Sequence, residues 1–217
     1  MDFSENFLKR SITAAILTLA FLATNILYFE TFLLLLVVSS IALLKEWWEL
    51  SVKWNGYFTR SVIGFFWFAP ALLALGWLRF MYGASPVFWA VSIVVASDVA
   101  AYVFGRTFGK RKIFPVISPG KTWEGFLGGL TAAGLVGALL GVCLGGAWAL
   151  AGVLVALLTG IAGVMGDLVE SYVKRWAGVK DSGKSLPGHG GVLDRLDSHL
   201  FGLPIFVVGV MMIGWPT

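Results

Sequence analysis

The amino-acid sequence predicts an all-α, polytopic integral membrane protein, and three observations carry that prediction. Apolar residues make up 58% of the chain and charged residues only 13%, with a mean hydropathy of +0.86. The apolar residues run in stretches that approach the ~20 residues a helix needs to cross ~30 Å of hydrocarbon. The charges collect in the connections between those stretches rather than along them. Such a composition excludes an ordinary soluble domain. Neither an inverted repeat nor a low-complexity linker divides the 217 residues, so a single domain spanning 1–217 is expected.

Seven membrane helices follow in order, at about 11–29, 31–45, 61–78, 86–104, 125–144, 147–166 and 200–215. The first reads as a retained anchor, because no small-x-small cleavage site leads into a soluble segment. Glu30 alone separates it from the second, LLLLVVSSIALL, so the pair should form a tight helical hairpin. The third and fourth are parted by the short stretch around Arg79 and Gly83. Gly137, Gly141 and Gly145 recur every four residues along the fifth, a stripe that lets two helix backbones approach closely. Cys143 lies on the same helix and is expected to pack as a small side chain. A single cysteine leaves no disulfide framework and no cysteine metal site.

Orientation follows from the basic residues, since positively charged loops stay on the cytoplasmic side. With the N-terminus inside, every one of the 16 basic residues except Arg79 falls on the inner face. That asymmetry supports the seven-helix count, because losing one helix would scramble it. Trp47, Trp48, Trp54, Trp123 and Trp215 fall near helix ends, where interfacial aromatics are expected. The site would then be cytoplasmic and the C-terminus outside, with the cell inner membrane as the expected compartment.

Two inner loops carry the chemistry. SDVAAYVFGRTFGKRKIFPVISPGKTWEG (97–125) and GDLVESYVKRWAGVKDSGKSLPGHGGVLDRLDS (166–198) together hold ten of the 16 basic and seven of the 12 acidic residues. Keeping loops inside needs only a few of those bases and no particular spacing, so a bound anion is the better reason for them. If the sixth helix runs on past the membrane face, Asp167, Glu170, Ser171 and Lys174 share one narrow stripe. Asp167 stands where an apolar span ends, and an ionisable residue at that depth calls for a partner or a cation.

Asp194 and Asp197 sit three apart on a helix beginning near Val192, with Leu193, Leu196 and Leu200 on its other side. A single carboxylate there could be a cap or a partner of Arg195. Three carboxylates, Asp167, Asp194 and Asp197, converging from two helix ends fit a hard divalent cation such as Mg²⁺ that also holds substrate phosphates. Gly188, Gly190 and Gly191 free the backbone to turn and present N–H groups to an anion. Lys174, Arg175, Lys180, Lys184 and Arg195 flank that turn. His189 is open to three readings, as metal ligand, acid or phosphate donor, with phosphate contact or loop ordering favoured. Walker, GxSxG and HExxH motifs are all missing. The residues alone therefore describe a metal-dependent membrane enzyme acting on phosphorylated substrates by positioning and charge neutralisation.

The second segment resembles the signature of the phosphatidate cytidylyltransferases, also called CDP-diacylglycerol synthases. Its fixed positions are Ser171, Lys174, Arg175, Lys180, Asp181, Pro187, His189, Gly190, Gly191, Asp194, Arg195 and Asp197. The first loop is similar to the family's as well, through Asp98, Ala101, Tyr102, Gly105, Arg106, Phe108, Gly109 and Lys110, then Ser118, Pro119, Lys121, Thr122 and Glu124. The likeness covers about 97–204, the expected catalytic region, while 1–90 match only as hydrophobic helices.

The resemblance implies that CTP and phosphatidate give CDP-diacylglycerol and pyrophosphate with Mg²⁺ required. It also implies a helical membrane homodimer embedded in the lipid bilayer and, in members of the family, a monovalent cation such as K⁺ beside the magnesium. No nucleic-acid partner is expected. By the same motif Asp167 and Asp194 are the first metal carboxylates. Lys174, Arg175, Lys180 and Arg195 face phosphates, Gly190 and Gly191 give backbone contacts, and Asp181 and Asp197 support the metal. Lys121 meets a substrate phosphate, and Ser118, Thr122 and Ser171 belong to the substrate site. Asp98 is left open between metal, loop and cap. Two rivals differ in what they would do. A cytidylyltransferase acting on an ether-linked isoprenoid phosphate would differ in its lipid pocket, and a transporter lined by Asp98 and Asp167 would ignore CTP.

Overall fold

The computed structural model describes residues 3–52, 57–186 and 190–216, with side chains at 3–11, 14, 57–61 and 65 outside the description. Seven helices follow one another: α1 (Phe3–Ile26), α2 (Phe29–Val52), α3 (Tyr57–Tyr82), α4 (Ala84–Phe108), α5 (Trp123–Leu144), α6 (Trp148–Trp176) and α7 (Leu193–Ile213). Between α4 and α5 lies a two-stranded antiparallel hairpin of β1 (Lys112–Phe114) and β2 (Ser118–Thr122). The all-α class is as the sequence predicts, and the hairpin is an addition to it.

Among the described residues, five helices are long and apolar enough to cross a membrane: Val62–Tyr82, Ala84–Phe108, Trp123–Leu144, Trp148–Trp176 and Leu193–Ile213. Large apolar side chains stand outward on them, including Phe66, Leu73, Val142, Leu150 and Met212. Such contiguous apolar exposure suits hydrocarbon rather than water. Of the first two helices, α1 offers a shorter apolar stretch, Ala15–Ile26, and α2 carries Glu30, Lys45, Glu46 and Glu49. Only Leu27 and Tyr28 join the two helices, which pack on each other. Glu30 lies inside the first turn of α2 rather than between the helices, where a carboxylate complements the helix dipole.

The most extensive packing joins α4 to α5, α5 to α6 and α6 to α7. Close approach in the α5/α6 seam depends on small residues. A Cβ at Gly137 would stand 2.5 Å from both the Gly152 carbonyl oxygen and the Ala156 Cβ, so nothing larger than glycine fits without separating the helices. Gly137→Val is accordingly expected to lower the thermal midpoint of the detergent-solubilised protein, at a cost of about 1–3 kcal/mol for overpacking. An unchanged melting curve would contradict this account of the seam. Gly145 does not extend the stripe: at φ 64° it caps the C-terminus of α5, a conformation glycine adopts without strain. Cys143, expected to pack inward, is exposed on α5, because the inward side of this helix is occupied by the glycines and alanine.

Two apolar clusters stack within the bundle. One gathers Phe32, Leu78, Ile93, Leu140, Trp148, Phe206 and Trp215. The other joins α2, α3, α6 and α7 through Leu43, Trp47, Leu50, Phe68, Val173, Leu193 and Leu200. Two tryptophans expected at the interface are instead buried within these clusters. Trp47 packs edge-on against Trp67 and Phe68, and Trp215 against Trp148 at 5.3 Å. Trp54 and Lys53 lie outside the described residues.

A candidate phosphate and metal site at the helix ends

The 29 residues of α6 give a rod of about 44 Å at 1.5 Å per residue, longer than the ~30 Å hydrocarbon core. The helix runs unbroken through the Asp167–Lys174 stripe, as the spacing predicts, and is long enough to carry part of that stripe beyond such a layer. Packed against that stretch is the first turn of α7. Their approach is set at Gly166, where a Cβ would lie 2.3 Å from the Asp197 carbonyl oxygen. Backbone contact this close brings the carboxylates of the two helices together.

Asp167, Glu170 and Asp197 each offer one oxygen, and the three lie within 4.8 Å of one another. Around them, Ser171 Oγ donates to Asp167 Oδ1 at 3.2 Å, and Lys121 Nζ pairs with Asp167 Oδ2 at 2.8 Å. The Lys121 ammonium also donates to the Val164 carbonyl at 3.2 Å. Asp98 joins from α4, accepting from Ser198 Oγ at 3.2 Å. Glu170 is fully buried. Its Oε2 meets the Lys174 ammonium, while Oε1 has no hydrogen-bond donor among the described residues. A buried carboxylate oxygen without a donor is costly unless a cation or water reaches it.

Asp194 is held differently. It accepts from Lys174 Nζ at 2.7 Å, from the Ser182 amide at 2.9 Å and from the Gly191 amide at 2.8 Å. Thus the structure joins Asp167 and Asp197 to Glu170, and commits Asp194 to the segment that precedes α7. Lys174 shares its ammonium between Glu170 and Asp194. The other expected cations part company here. Arg195 lines the cleft described below, whereas Arg175 is exposed and donates to the Val179 carbonyl at 3.2 Å. Lys180 and Asp181 are exposed on the same turn. Gly190 has φ 83°, the left-handed conformation expected of this glycine turn. His189, with Pro187 and Gly188, lies outside the described residues.

The hairpin completes the site. Thr122 ends β2 and caps α5, its hydroxyl accepting from the Gly125 amide at 3.1 Å. Glu124 accepts from the amides of Lys110 and Arg111 at 3.0 and 3.3 Å, tying the start of the loop to the first turn of α5. These contacts fold the first loop over the helix ends. Between them opens a cleft of about 710 Å³, lined from the first loop by Arg106, Lys112, Ser118, Lys121 and Thr122 and from the second by Asp167, Asp194, Arg195 and Asp197. Two segments well separated in sequence thus face each other across one cavity, with bases and carboxylates on both flanks. A cavity of this size accommodates a nucleotide-sized ligand.

Three residues stand out here that the sequence reading left unassigned. Arg106 and Lys112 line the cleft, and their membership of a basic loop was the available signal. Glu46, on α2, is 1% exposed and accepts from the amides of Val192 and Leu193 at 2.8 and 2.9 Å. Its signal was weaker, a carboxylate near the end of an apolar span with no basic residue three or four positions away.

Comparison with known proteins agrees with this geometry. The chain is 38% identical over 188 residues to the uncharacterized protein YnbB of Escherichia coli (strain K12), covering 82% of this chain and 63% of that protein. It is 48% identical over 126 residues to the phosphatidate cytidylyltransferase of Staphylococcus haemolyticus, 57% of this chain and 48% of that one. It is 44% identical over 149 residues to that of Helicobacter pylori (strain J99), 68% of this chain and 55% of that one. The chain thus spans roughly half to just under two thirds of the length of these relatives. Residues 53–213, which include every cleft residue described above, match the cytidylyltransferase family, and the chain belongs to that family.

Proposed function

We propose that this protein is a phosphatidate cytidylyltransferase, transferring CMP from CTP to phosphatidate with release of pyrophosphate. The observation that carries the reading is the cleft itself, lined by Asp167 and Asp197 of the carboxylate trio, with Glu170 buried behind them, and by bases from both loops at the ends of membrane-length helices. Substrates made of a nucleoside triphosphate and a lipid phosphate need that combination. An oxygen of the lipid phosphate, already anionic at neutral pH, attacks the α-phosphorus of CTP. The new P–O bond forms as the bond from the α-phosphorus to the oxygen bridging the β-phosphorus breaks, and pyrophosphate leaves with that electron pair. No side-chain nucleophile or general base is required.

What the protein must supply is relief of repulsion between two anions and stabilisation of the departing one. Lys121, Lys112, Arg106 and Arg195 line the cleft and would serve those ends. The donor set is all oxygen, and the partnerless Glu170 Oε1 is a place for a cation. Asp167, Glu170 and Asp197 would hold Mg²⁺, and Asp194, on the same cleft, would order the loop beside it. When bound, the ion supplies charge neutralisation to the phosphates. The lysine pairing at Asp167 fits that role, since Lys121 stands ready to meet phosphate once the carboxylate binds metal. A homodimer, a K⁺ companion and a seven-pass topology with a cytoplasmic N-terminus belong to the same proposal, the first two carried by the resemblance and the last by the distribution of basic residues.

Purified protein in detergent, given labelled CTP and phosphatidate, is expected to form CDP-diacylglycerol with Mg²⁺, lose that activity on EDTA treatment and regain it when Mg²⁺ is restored. An ether-linked isoprenoid phosphate offered as competing acceptor is expected to react poorly. Absence of any CDP-lipid from the wild type would overturn the proposal, and preference for the isoprenoid would change the acceptor.

A further inference from the structure

Glu46 lies 136 residues or more before the groups it binds, on a helix that precedes the stretch matching the family. Its carboxylate accepts from the Ser182 hydroxyl at 3.1 Å and from the amides of Val192 and Leu193 at 2.8 and 2.9 Å. The latter two belong to the start of α7, whose own N-cap, Val192, has no side chain able to accept them. Helix N-termini leave four amides without partners. Here the sequence omits the usual serine or aspartate cap, and a carboxylate from another helix takes its place.

Ser182 and the stretch Gly191, Val192 and Leu193 are held by two carboxylates. Asp194 grips the Ser182 and Gly191 amides from within α7, and Glu46 grips the Ser182 hydroxyl and the α7 amides from α2. Around Glu46 the loop backbone closes tightly: a Cβ at Gly191 would stand 2.3 Å from Glu46 Oε2 and 2.1 Å from Ser182 Oγ. The first turn of α7 governed by this contact carries Arg195 and Asp197 into the cleft.

We propose that Glu46 is a positioning residue of the active site, a tertiary cap through which α2 fixes Ser182 and the first turn of α7 in the arrangement that receives the nucleotide. This rests on the cytidylyltransferase reading for its kinetic consequence, though not for its structural one. Without the cap the segment and helix start sample other conformations, and nucleotide binding must select the competent one. If only about a tenth of molecules are competent, apparent affinity falls about tenfold, while the rate at saturation is largely kept.

The test compares Glu46→Gln, Gly191→Ala and, as a packing control on the same helix, Leu43→Ala. Leu43 is fully buried in the adjoining apolar cluster, which it shares with Leu193, and its side chain has no polar atom to offer the amides that Glu46 caps. Hydrogen-exchange mass spectrometry and CTP kinetics are measured on each full-length protein. Glu46→Gln keeps one acceptor but turns an NH₂ toward donors. It is expected to speed exchange in peptides covering 182–196 and to raise the KM for CTP about tenfold with kcat within about twofold. Gly191→Ala, which displaces the Glu46 carboxylate, should reproduce that pattern, and the double variant should add little. Leu43→Ala should lower the melting temperature with KM and kcat per folded molecule unchanged. Wild-type exchange at 182–196 in Glu46→Gln, or the Leu43→Ala pattern in its place, would overturn the proposal. If the wild type makes no CDP-lipid, the functional reading fails, while the exchange data still decide whether Glu46 holds the segment.

Discussion

Asp167→Asn is expected to lower CDP-diacylglycerol formation by about a thousandfold, the upper end of what a single preorganised electrostatic group contributes in other enzymes. The substitution preserves size and takes away charge at the point where three demands meet. Asp167 supplies one oxygen of the carboxylate trio, neutralises Lys121 at 2.8 Å and accepts from Ser171 at 3.2 Å. An amide is a poor ligand for a hard cation, and it leaves the Lys121 ammonium without its counter-charge. The loss should appear mainly in kcat, with Mg²⁺ needed at higher concentration for half-maximal rate. Stability should change little, because the Asp167 side chain is 34% exposed and exposed ion pairs contribute only about 0–1 kcal/mol. A variant retaining more than a tenth of the wild-type rate would remove Asp167 from the site.

Asp167 was legible in the sequence for a physical reason that also marks where legibility ends. Hydropathy falls at a membrane face, so a carboxylate at the end of an apolar span announces itself, and helical spacing then puts Glu170, Ser171 and Lys174 on its side. The same periodicity gave Asp197 and the helix that carries it. Spacing along one helix cannot say which neighbour on another helix a side chain meets, and Asp194 and Glu170 show why that matters. Asp194 shares a face with Asp197, yet its oxygens are taken by Lys174 and by the amides of Ser182 and Gly191. Glu170 lies in the predicted stripe, and only the packing of α7 against it brings it together with Asp167 and Asp197.

The hairpin was hidden for a different reason. KIF and SPGKT are short, the second contains proline and glycine, and neither has an alternating apolar pattern; their pairing is supported instead by the turn between them and by the Glu124 contacts at their base. Glu46 was hidden because two of its three partners are backbone amides, which carry no side-chain pattern, and the third, the Ser182 hydroxyl, lies 136 residues away. Seven helical segments were legible from hydropathy, although among the described residues only five are long and apolar enough to cross a membrane, and the continuation of α6 through Asp167 to Lys174 had to be assumed.

Gly166→Ala, a change of one methyl group, is expected to cost both stability and at least about a hundredfold in kcat/KM. The added Cβ would stand 2.3 Å from the Asp197 carbonyl oxygen and 3.2 Å from Phe201 Cδ2. The first neighbour is helix backbone and cannot swing aside, so α6 and α7 must separate or slide by about 1 Å, at an overpacking cost of about 1–3 kcal/mol. Asp167 is the next residue on one helix, and Asp197 is the very residue struck on the other. Separation at this point therefore widens the carboxylate trio directly, and a misplacement of about 1 Å in such a constellation costs about a hundredfold in rate. Gly134→Ala is the matched control. Its Cβ would meet only Leu157 Cδ2, at an ordinary 3.5 Å, and alanine's better helix propensity, worth about 1 kcal/mol, should leave that variant as stable as the wild type or more so, with full activity. If Gly166→Ala melts and turns over like Gly134→Ala, the α6/α7 seam does not set the spacing of the carboxylates. If instead its rate falls and extra Mg²⁺ fails to restore it, the seam is as much a part of the proposed metal site as the acids themselves.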